Sequence, residues 1–289
     1  MTFAAVEDVE RALVGVGYLP DRGLATAVFL AATLEQPLLL EGEAGVGKTE
    51  VARALAEAQG ARLIRLQCHE GIDLHHAVYD WDYQRQLLAI RAAEAGAEAR
   101  ELFGREFLLR RPLLEALESD PAQPVVLLID EVDRADDEFE AFLLEFLADF
   151  AITIPELGTI TARRRPLVVL TSNRTRELHD ALKRRCLYHW IDYPSAAREV
   201  EILRRRVPGT APAFAEAVVA ALARLRTADV QKAPGIAEGI DWVAALELLG
   251  AEHLDVETAG RTLGAVLKYR EDQEAVRAAG LERLVGGAA

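Results

Sequence analysis

The chain has 289 residues, 51% of them hydrophobic and 28% charged, with a formal charge of −14. This is more chain than one small domain needs and enough for a core with a second module, in the composition range of a globular protein. Such acidity repels nucleic acid and anionic membranes unless basic groups cluster locally, so a protein or a small molecule is the expected partner.

Two cysteines, Cys68 and Cys186, lie far apart in sequence, which argues against a disulfide framework and for a reducing compartment. The apolar runs, Val125 to Ile129 among the longest, are far too short to cross a bilayer. The first residues carry no signal-peptide pattern, and a cytoplasmic protein is expected.

The first strand signal is Leu38 to Leu40, followed by Gly42, Glu43, Ala44, Gly45, Val46, Gly47, Lys48 and Thr49. Gly42, Gly47, Lys48 and Thr49 fill the pattern G-x-x-x-x-G-K-[ST] after a strand and at the opening of a helix, where its mechanism operates. Glycines let the backbone fold around phosphates, whose charge then meets amide N–H groups and a helix N-terminus. Lys48 has the length to reach β- and γ-phosphates, and Thr49 the hydroxyl to ligate Mg²⁺. With Glu50, residues 42–50 form the expected ATP contact. A turn that merely joins strand to helix is the bland alternative, and it leaves the filled positions unexplained.

A helix is predicted from Glu50 to Gln59, ended by Gly60, and a strand from Leu63 to Leu66. Cys68, His69, His75 and His76 follow in a spacing that matches no zinc template, so a structural or surface role is expected. The stretch from Leu66 to Pro124 is longer than a strand-helix-strand connection requires.

Val125 to Ile129 is a third strand, and it ends in Asp130 and Glu131. Asp130 stands to hold Mg²⁺ through its hydration shell, and Glu131 to polarise an attacking water. Alone, the pair would read as a capped helix start; the phosphate loop reverses that preference. A kinase acting on a metabolite has no use for a water-activating glutamate, so Glu131 points to hydrolysis. A helix from Asp137 to Phe146 comes next, and AITIPELGTIT alternates polar and apolar residues as a β-hairpin does.

The strand Leu167 to Thr171 leads to Asn173, whose amide is suited to orient the lytic water or read the γ-phosphate; its bland reading is a turn residue. Lys183, Arg184 and Arg185 precede the last strand, Leu187 to Ile191. An arginine at this place in an ATPase can reach a neighbouring subunit's nucleotide, worth roughly 10³ to 10⁵ in rate. A solvated charged face is the alternative. Arg163 to Arg165 and Arg204 to Arg206, without interleaved aromatics, face water, subunit neighbours or nucleotide rather than nucleic acid.

Strands buried on both faces and alternating with helices argue for an α/β fold with a parallel, covered sheet. After Tyr193-Pro194 the strand signals stop, and helices are predicted over Ala196 to Arg206, Ala213 to Arg226, Ile240 to Leu249 and Glu257 to Tyr269. The expected division is 1–194 and 195–289.

These features together resemble the AAA+ ATPases over nearly the whole chain. More narrowly, the chain resembles the MoxR family and its CoxD-like branch, associated with maturation of molybdenum-containing carbon monoxide dehydrogenases and related hydroxylases. The stretches that carry this are RLQCHEGIDLHHAVYDWDYQRQLL, LLIDEVDRADDEFEAFLLEFLADFAITIPELGTI, TSNRTRELHDALKRRCLYHWIDYP and KAPGIAEGIDW. The resemblance implies a P-loop AAA+ core with a five-stranded parallel sheet flanked by helices, and a C-terminal all-α lid domain. It implies an insert in the second helix at about 72–110 and a hairpin before the sensor strand at about 150–165. ATP and Mg²⁺ are the implied cofactors. A homo-oligomeric, hexameric ring is implied, with a von Willebrand factor A-domain partner, a metalloenzyme client and Arg185 as arginine finger, Arg184 being the second choice.

The insert also brings Trp81, Asp82 and Tyr83 to or near a central pore, where aromatics grip a polypeptide. Core packing of two aromatics in a helical segment is the competing reading, and the two stand level. One position departs from the family. Many relatives carry Pro-Arg at the start of a lid helix, where this chain has Pro234-Gly235-Ile236. Lys232 nearby is either a substitute or a solvent-facing lysine. Three rivals keep their place beside a remodelling ATPase: a small-molecule kinase, a nucleic-acid remodelling ATPase and a nucleotide-gated binding module with little turnover.

Overall fold

The computed structural model describes residues 3–94 and 101–286. Residues 1–2, 95–100 and 287–289, which fall in the expected core, insert and lid, lie outside the described residues. The chain divides into two compact units, one made of 1–16, 20–41 and 49–190, the other of 17–19, 42–48 and 191–289.

The first unit opens with two helices that the strand and helix signals above did not reveal, α1 (Val6–Gly15) and α2 (Arg22–Leu34). The Asp21 carboxylate caps α2 by accepting the Leu24 amide at 2.6 Å. The sheet follows: β1 (Leu38–Gly42), α3 (Lys48–Ala58) and β2 (Arg62–Gln67). Next in the chain come α4 (Leu74–Ala77), β3 (Tyr79–Trp81), α5 (Tyr83–Glu94), β4 (Leu108–Arg110) and α6 (Pro112–Leu117). They lead to β5 (Val125–Asp130), α7 (Asp137–Asp149), the hairpin β6 (Ala151–Ile154) and β7 (Gly158–Thr161), then β8 (Leu167–Ser172), α8 (Asp180–Arg185) and β9 (Leu187–Ile191).

Five strands form one parallel sheet in the order β2-β5-β8-β1-β9. Every residue of β1, β5 and β8 is buried, as expected where helices cover both faces. At the edge, β2 buries Ile64 and Leu66 but exposes Arg62, Arg65 and Gln67. The strands run one or two residues past their apolar stretches, to Gly42, Gln67, Asp130 and Ser172. These polar ends share the carboxyl end of the sheet, where ligand sites of open parallel sheets form.

The segment between β2 and β5 corrects one expectation. Trp81 does not belong to a helix: it is buried in β3, paired with Leu108 of β4, with its ring edge-on to Phe103 at 5.4 Å and to Tyr79 at 6.0 Å. The Asp82 carboxylate accepts the Arg85 amide at 3.0 Å and so marks the start of α5. Tyr83, on the first turn of that helix, is 57% exposed. The two aromatics therefore separate, with Trp81 in the core.

The second unit's helices are α9 (Ala196–Arg206), α10 (Pro212–Thr227), α11 (Ile236–Leu248), α12 (Val256–Val266), α13 (Arg270–Ala279) and α14 (Leu281–Val285). Trp242 sits at the centre, fully buried among Leu222, Val243 and Leu263, and its Nε1 donates to Thr262 Oγ1 at 2.7 Å. Two of these boundaries differ from those predicted by more than one residue. Helix α11 starts at Ile236 rather than Ile240, because Glu238 accepts the Gly235 amide at 3.0 Å and stabilises an earlier first turn. Helix α12 ends at Val266, where Leu267 turns extended yet stays buried. Among the described residues, no helix is long and apolar enough to cross a membrane.

Candidate functional site

In the first unit, donors converge on the carboxylate that ends β5. The Asp130 side chain is 3% exposed. Its Oδ1 accepts from Thr171 Oγ1 at 2.5 Å and Thr49 Oγ1 at 3.1 Å, and its Oδ2 from Arg65 Nε at 3.0 Å. A buried charge is tolerated when it is paired and hydrogen-bonded in this way. Thr49 is the second residue of α3, and Thr171 belongs to the neighbouring strand β8.

Glu131 follows in the left-handed region at φ 55°. Such a conformation costs a non-glycine residue about 1–3 kcal/mol and persists where surrounding bonds impose it. Here the Glu131 amide donates to Thr171 Oγ1 at 2.9 Å, and its carboxylate accepts from Gln67 Nε2 and from Arg134, both at 3.0 Å. The turn sends the Asp130 and Glu131 carboxylates to different partners. Asp133, buried, accepts the amide and hydroxyl of Thr175 at 2.8 and 2.7 Å, tying the segment after Glu131 to the segment after Asn173.

Asn173 stands one residue beyond β8, half-buried. On one side of it, the Ser172 hydroxyl donates to Glu41 at 3.2 Å and accepts the Arg174 amide at 3.1 Å; on the other, Arg174 is left-handed at φ 56°. Glu41, buried near the end of β1, also accepts from Tyr188 Oη at 3.1 Å. Arg184 and Arg185 are the last two residues of α8 and both are exposed. Among the described residues, neither has an ion-pair or hydrogen-bond partner, and neither is among the partners of Asp130 or Glu131.

Cys68 lies behind this cluster, its amide donating to the Asp130 carbonyl at 2.9 Å. Burial first, and then the charges of Asp130, Asp133 and Glu131, push its thiol up to about 12. His75 and His76 are exposed on the short helix α4, and His76 Nδ1 lies 2.7 Å from Asp73.

The second unit holds the glycine-rich loop. Gly45 and Gly47 are left-handed, at φ 79° and 98°. At Gly47 a Cβ would meet open space, so the backbone angle alone calls for glycine there. The buried Lys48 curls back on the loop, its Nζ donating to the carbonyls of Gly42 at 2.8 Å and Glu43 at 2.7 Å. The Gly45 carbonyl accepts the amides of Ile236 and Ala237 at 3.1 and 3.4 Å, the first residues of α11. Lys232 is exposed.

The donor set suits the groups that such a loop implies. Thr49 Oγ1 and the two Asp130 oxygens lie 3.1 and 3.3 Å apart. These hard oxygens would hold a Mg²⁺, Thr49 as ligand and Asp130 through the ion's hydration shell, and the ion would supply charge neutralisation for phosphate. The amides of residues 42–48 lead into the N-terminus of α3, the arrangement that receives phosphates.

Residues 37–186 match the family model described as the AAA domain, dynein-related subfamily, a span slightly over half of the chain. The chain belongs to this AAA family. The matched span contains the glycine-rich loop, Asp130, Glu131, Asn173, Arg184 and Arg185, and it stops before β9.

No curated protein matches the AAA chain significantly in sequence. Among solved structures, a variant of RuvB from Thermotoga maritima is similar, with 17% identity, 90% of this chain and 70% of that one covered, and a TM-score of 0.49. The Thermotoga maritima RuvB Holliday junction branch migration motor is similar at 17% identity, with 89% and 68% covered and a TM-score of 0.45.

Reading motifs along the chain left Glu41, Arg65, Gln67, Asp133 and Thr171 unassigned. They lie within, at or shortly after strands, and only strand order brings them together.

Proposed function

We propose that this AAA protein is an Mg²⁺-dependent ATPase that works as a ring and remodels a client protein. The observation that carries the reading is the pairing of Thr49 Oγ1 with the buried Asp130 carboxylate at 3.1 Å, directly after a loop whose left-handed glycines lead into a helix N-terminus. Lys48 leaves the loop carbonyls to neutralise phosphate charge on the substrate ATP. Thr49 and Asp130 hold the metal, and a bound Mg²⁺ supplies charge neutralisation on the transferred phosphoryl group. Glu131, left-handed and turned away from Asp130, accepts the proton of the attacking water. Asn173 orients that water between the tethered Ser172 and Arg174. Arg185, or Arg184 beside it, is exposed at the end of α8 and completes the site of a neighbouring subunit.

The resemblance to the CoxD-like branch supports a cytoplasmic chaperone task in the maturation of a molybdenum hydroxylase or carbon monoxide dehydrogenase, beside a von Willebrand factor A-domain partner in a hexameric assembly. The expected division into a nucleotide-binding core, 1–194, and a helical lid, 195–289, belongs to the same reading. One observation favours a second reading: Gly235 occupies the position where relatives carry a sensor arginine, and Lys232 is exposed. A nucleotide-gated binding module with little turnover fits that.

The test is phosphate release per subunit as protein concentration is raised with Mg²⁺ and ATP. A rate that climbs and saturates is expected of sites completed between subunits. A rate that stays near background at every concentration, in a chain that binds ATP and sizes as a monomer, would replace the ATPase with the gated module.

A further inference from the structure

Within the second unit, the glycine-rich loop touches a carboxylate. A Cβ on Gly45 would stand 2.7 Å from Glu238 Oε2, so the absence of a side chain there is what lets that oxygen rest against the loop backbone. Glu238 is held in place from its own helix. It is the third residue of α11, half-buried, and the same Oε2 accepts the Gly235 amide at 3.0 Å, one arm of a capping box. The Gly45 carbonyl closes the contact by accepting the amides of Ile236 and Ala237.

The charges at this contact do not balance. Lys48 is the one cation of residues 42–48, against Glu43 within the loop and Glu238 upon it. The buried Glu199 is matched by Arg226, which donates to both of its oxygens. Among the described residues, Glu238 has no ion-pair partner. Burial pushes the Tyr193 phenol up, and the charges of Glu43, Glu238 and Glu199 act in the same direction against that of Arg226, so both loop carboxylates are within electrostatic reach of one ring. Phosphates received by the loop amides would meet these charges through protein rather than water, and the repulsion grows with each unit of phosphate charge.

We propose that Glu238 is a specificity-determining residue of the nucleotide site: its fixed carboxylate disfavours each added phosphate charge and so narrows the preference for ATP over ADP. The cap alone has no need of that charge, because the neutral amide oxygen of a glutamine serves in a capping box as well. Occupancy of the site then follows the ratio of the two nucleotides. The inference rests on the ATPase reading, in which residues 42–48 receive the phosphates.

The test is isothermal titration of the full chain, with Mg²⁺ present, by ADP and by a non-hydrolysable ATP analogue, for wild type, Lys48→Ala, Glu238→Gln and Glu238→Ala. Glu238→Gln keeps the cap and removes the charge. It is expected to bind the analogue about threefold to tenfold more tightly and ADP by a smaller factor, the effect of one unit charge removed across several ångströms of protein. The deciding quantity is the ratio of the two affinities, which a loop merely loosened or braced would not move. A ratio raised toward the analogue supports the proposal. An unchanged or lowered ratio overturns it, whether the two nucleotides bind better, worse or as before, and means that the α11 N-terminus already absorbs the charge. If Glu238→Gln does not fold, Glu238→Ala decides by the same ratio. Absence of nucleotide binding in wild type, or binding that Lys48→Ala leaves intact, removes the ATPase reading and this proposal together. Binding that depends on Lys48, with an unchanged ratio in the Glu238 variants, removes only the proposal.

Discussion

Gly235 lies so close against Gly45 that a Cβ on Gly235 would stand 2.7 Å from the Gly45 Cα and 2.8 Å from its carbonyl atoms. No real Cβ sits at such distances from backbone, and neither side is a flexible side chain able to move away. With the α11 amides bonded to the Gly45 carbonyl, only glycine fits at position 235. Gly235→Ala is expected to cost about 1–3 kcal/mol, the usual range for overpacking, and to weaken ATP binding. Gly235→Arg is expected to weaken it further. Isothermal titration with a non-hydrolysable ATP analogue checks both; binding equal to wild type would mean that the loop shifts freely.

The turn that presents Gly235 hangs on Arg226. Its guanidinium donates to both oxygens of Glu199 at 2.9 and 2.6 Å, to the Pro234 carbonyl at 2.8 Å, and stacks on Tyr193 with 4.4 Å to the ring centre. The Glu199 side chain is 2% exposed, so removing its partner strands a buried carboxylate. Arg226→Met is expected to destabilise the second unit by about 3–5 kcal/mol, and the double change with Glu199→Leu by much less, because the uncompensated charge is then gone. Urea unfolding of the three proteins followed by Trp fluorescence makes the comparison. Equal losses in the single and double variants would show that packing, not charge, sets the cost.

Glu131→Gln keeps the size and hydrogen-bonding capacity of the side chain and removes its basicity. ATP binding is expected to persist while turnover falls by roughly 10² to 10⁴, the contribution of a general base. Analogue titration beside phosphate release separates the two quantities. Equal hydrolysis by variant and wild type would exclude Glu131 from the chemistry.

How far such a site can be read along the chain depends on what holds each part. The phosphate loop is legible because its chemistry is made by backbone at fixed spacing, so Gly47, Lys48 and Thr49 announce it. The central strands are legible because they are buried on both faces and hence continuously apolar. Strand ends such as Gln67 and Asp130 are not, since the polar residue that ends the apolar run is itself still paired in the sheet. Arg65 and Gln67 carry no signal in one dimension; they matter only because β2 lies beside β5. Trp81 was open to misreading because Asp82 caps a helix starting one residue later, and hydropathy alone does not show on which side of a cap a residue falls. Leu267 and Tyr269 extend the apolar period of α12 past its end for a similar reason: Leu267 is buried without being helical.

Both thiols are predicted to be inert. Burial pushes Cys68 and Cys186 up to about 12, and the carboxylates around Cys68 act in the same direction. The thiolate is the nucleophile, so neither is expected to react with a disulfide reagent at pH 8 in the native protein, whereas both react in denaturant. The sign for stability follows. The folded pKa is raised above the unfolded value of about 8.5, so this contribution is complete below pH 8.5 and is lost as pH climbs toward 12. Rapid native labelling of Cys68 would mean that the segment behind Asp130 opens readily.

Arg185 divides the ring reading from its bland alternative, in which three cations at the end of α8 simply complement the helix dipole. Lys183 fits that alternative, with Glu177 at 3.5 Å, but Arg184 and Arg185 are exposed without a partner among the described residues. If Arg185 stabilises charge in a neighbour's site, Arg185→Ala is expected to lower turnover by roughly 10³ or more while ATP binding is kept; Arg184→Ala loses less. Mixing decides where the arginine acts. Lys48→Ala subunits cannot bind phosphate but still present Arg185, and Arg185→Ala subunits have a complete phosphate loop but lend no arginine. An equimolar mixture of these two inactive proteins should regain part of the wild-type rate, because some sites then combine an intact loop with an intact arginine. Phosphate release that stays at the level of the separate variants, in mixtures shown by sizing to co-assemble, would confine Arg185 to its own subunit.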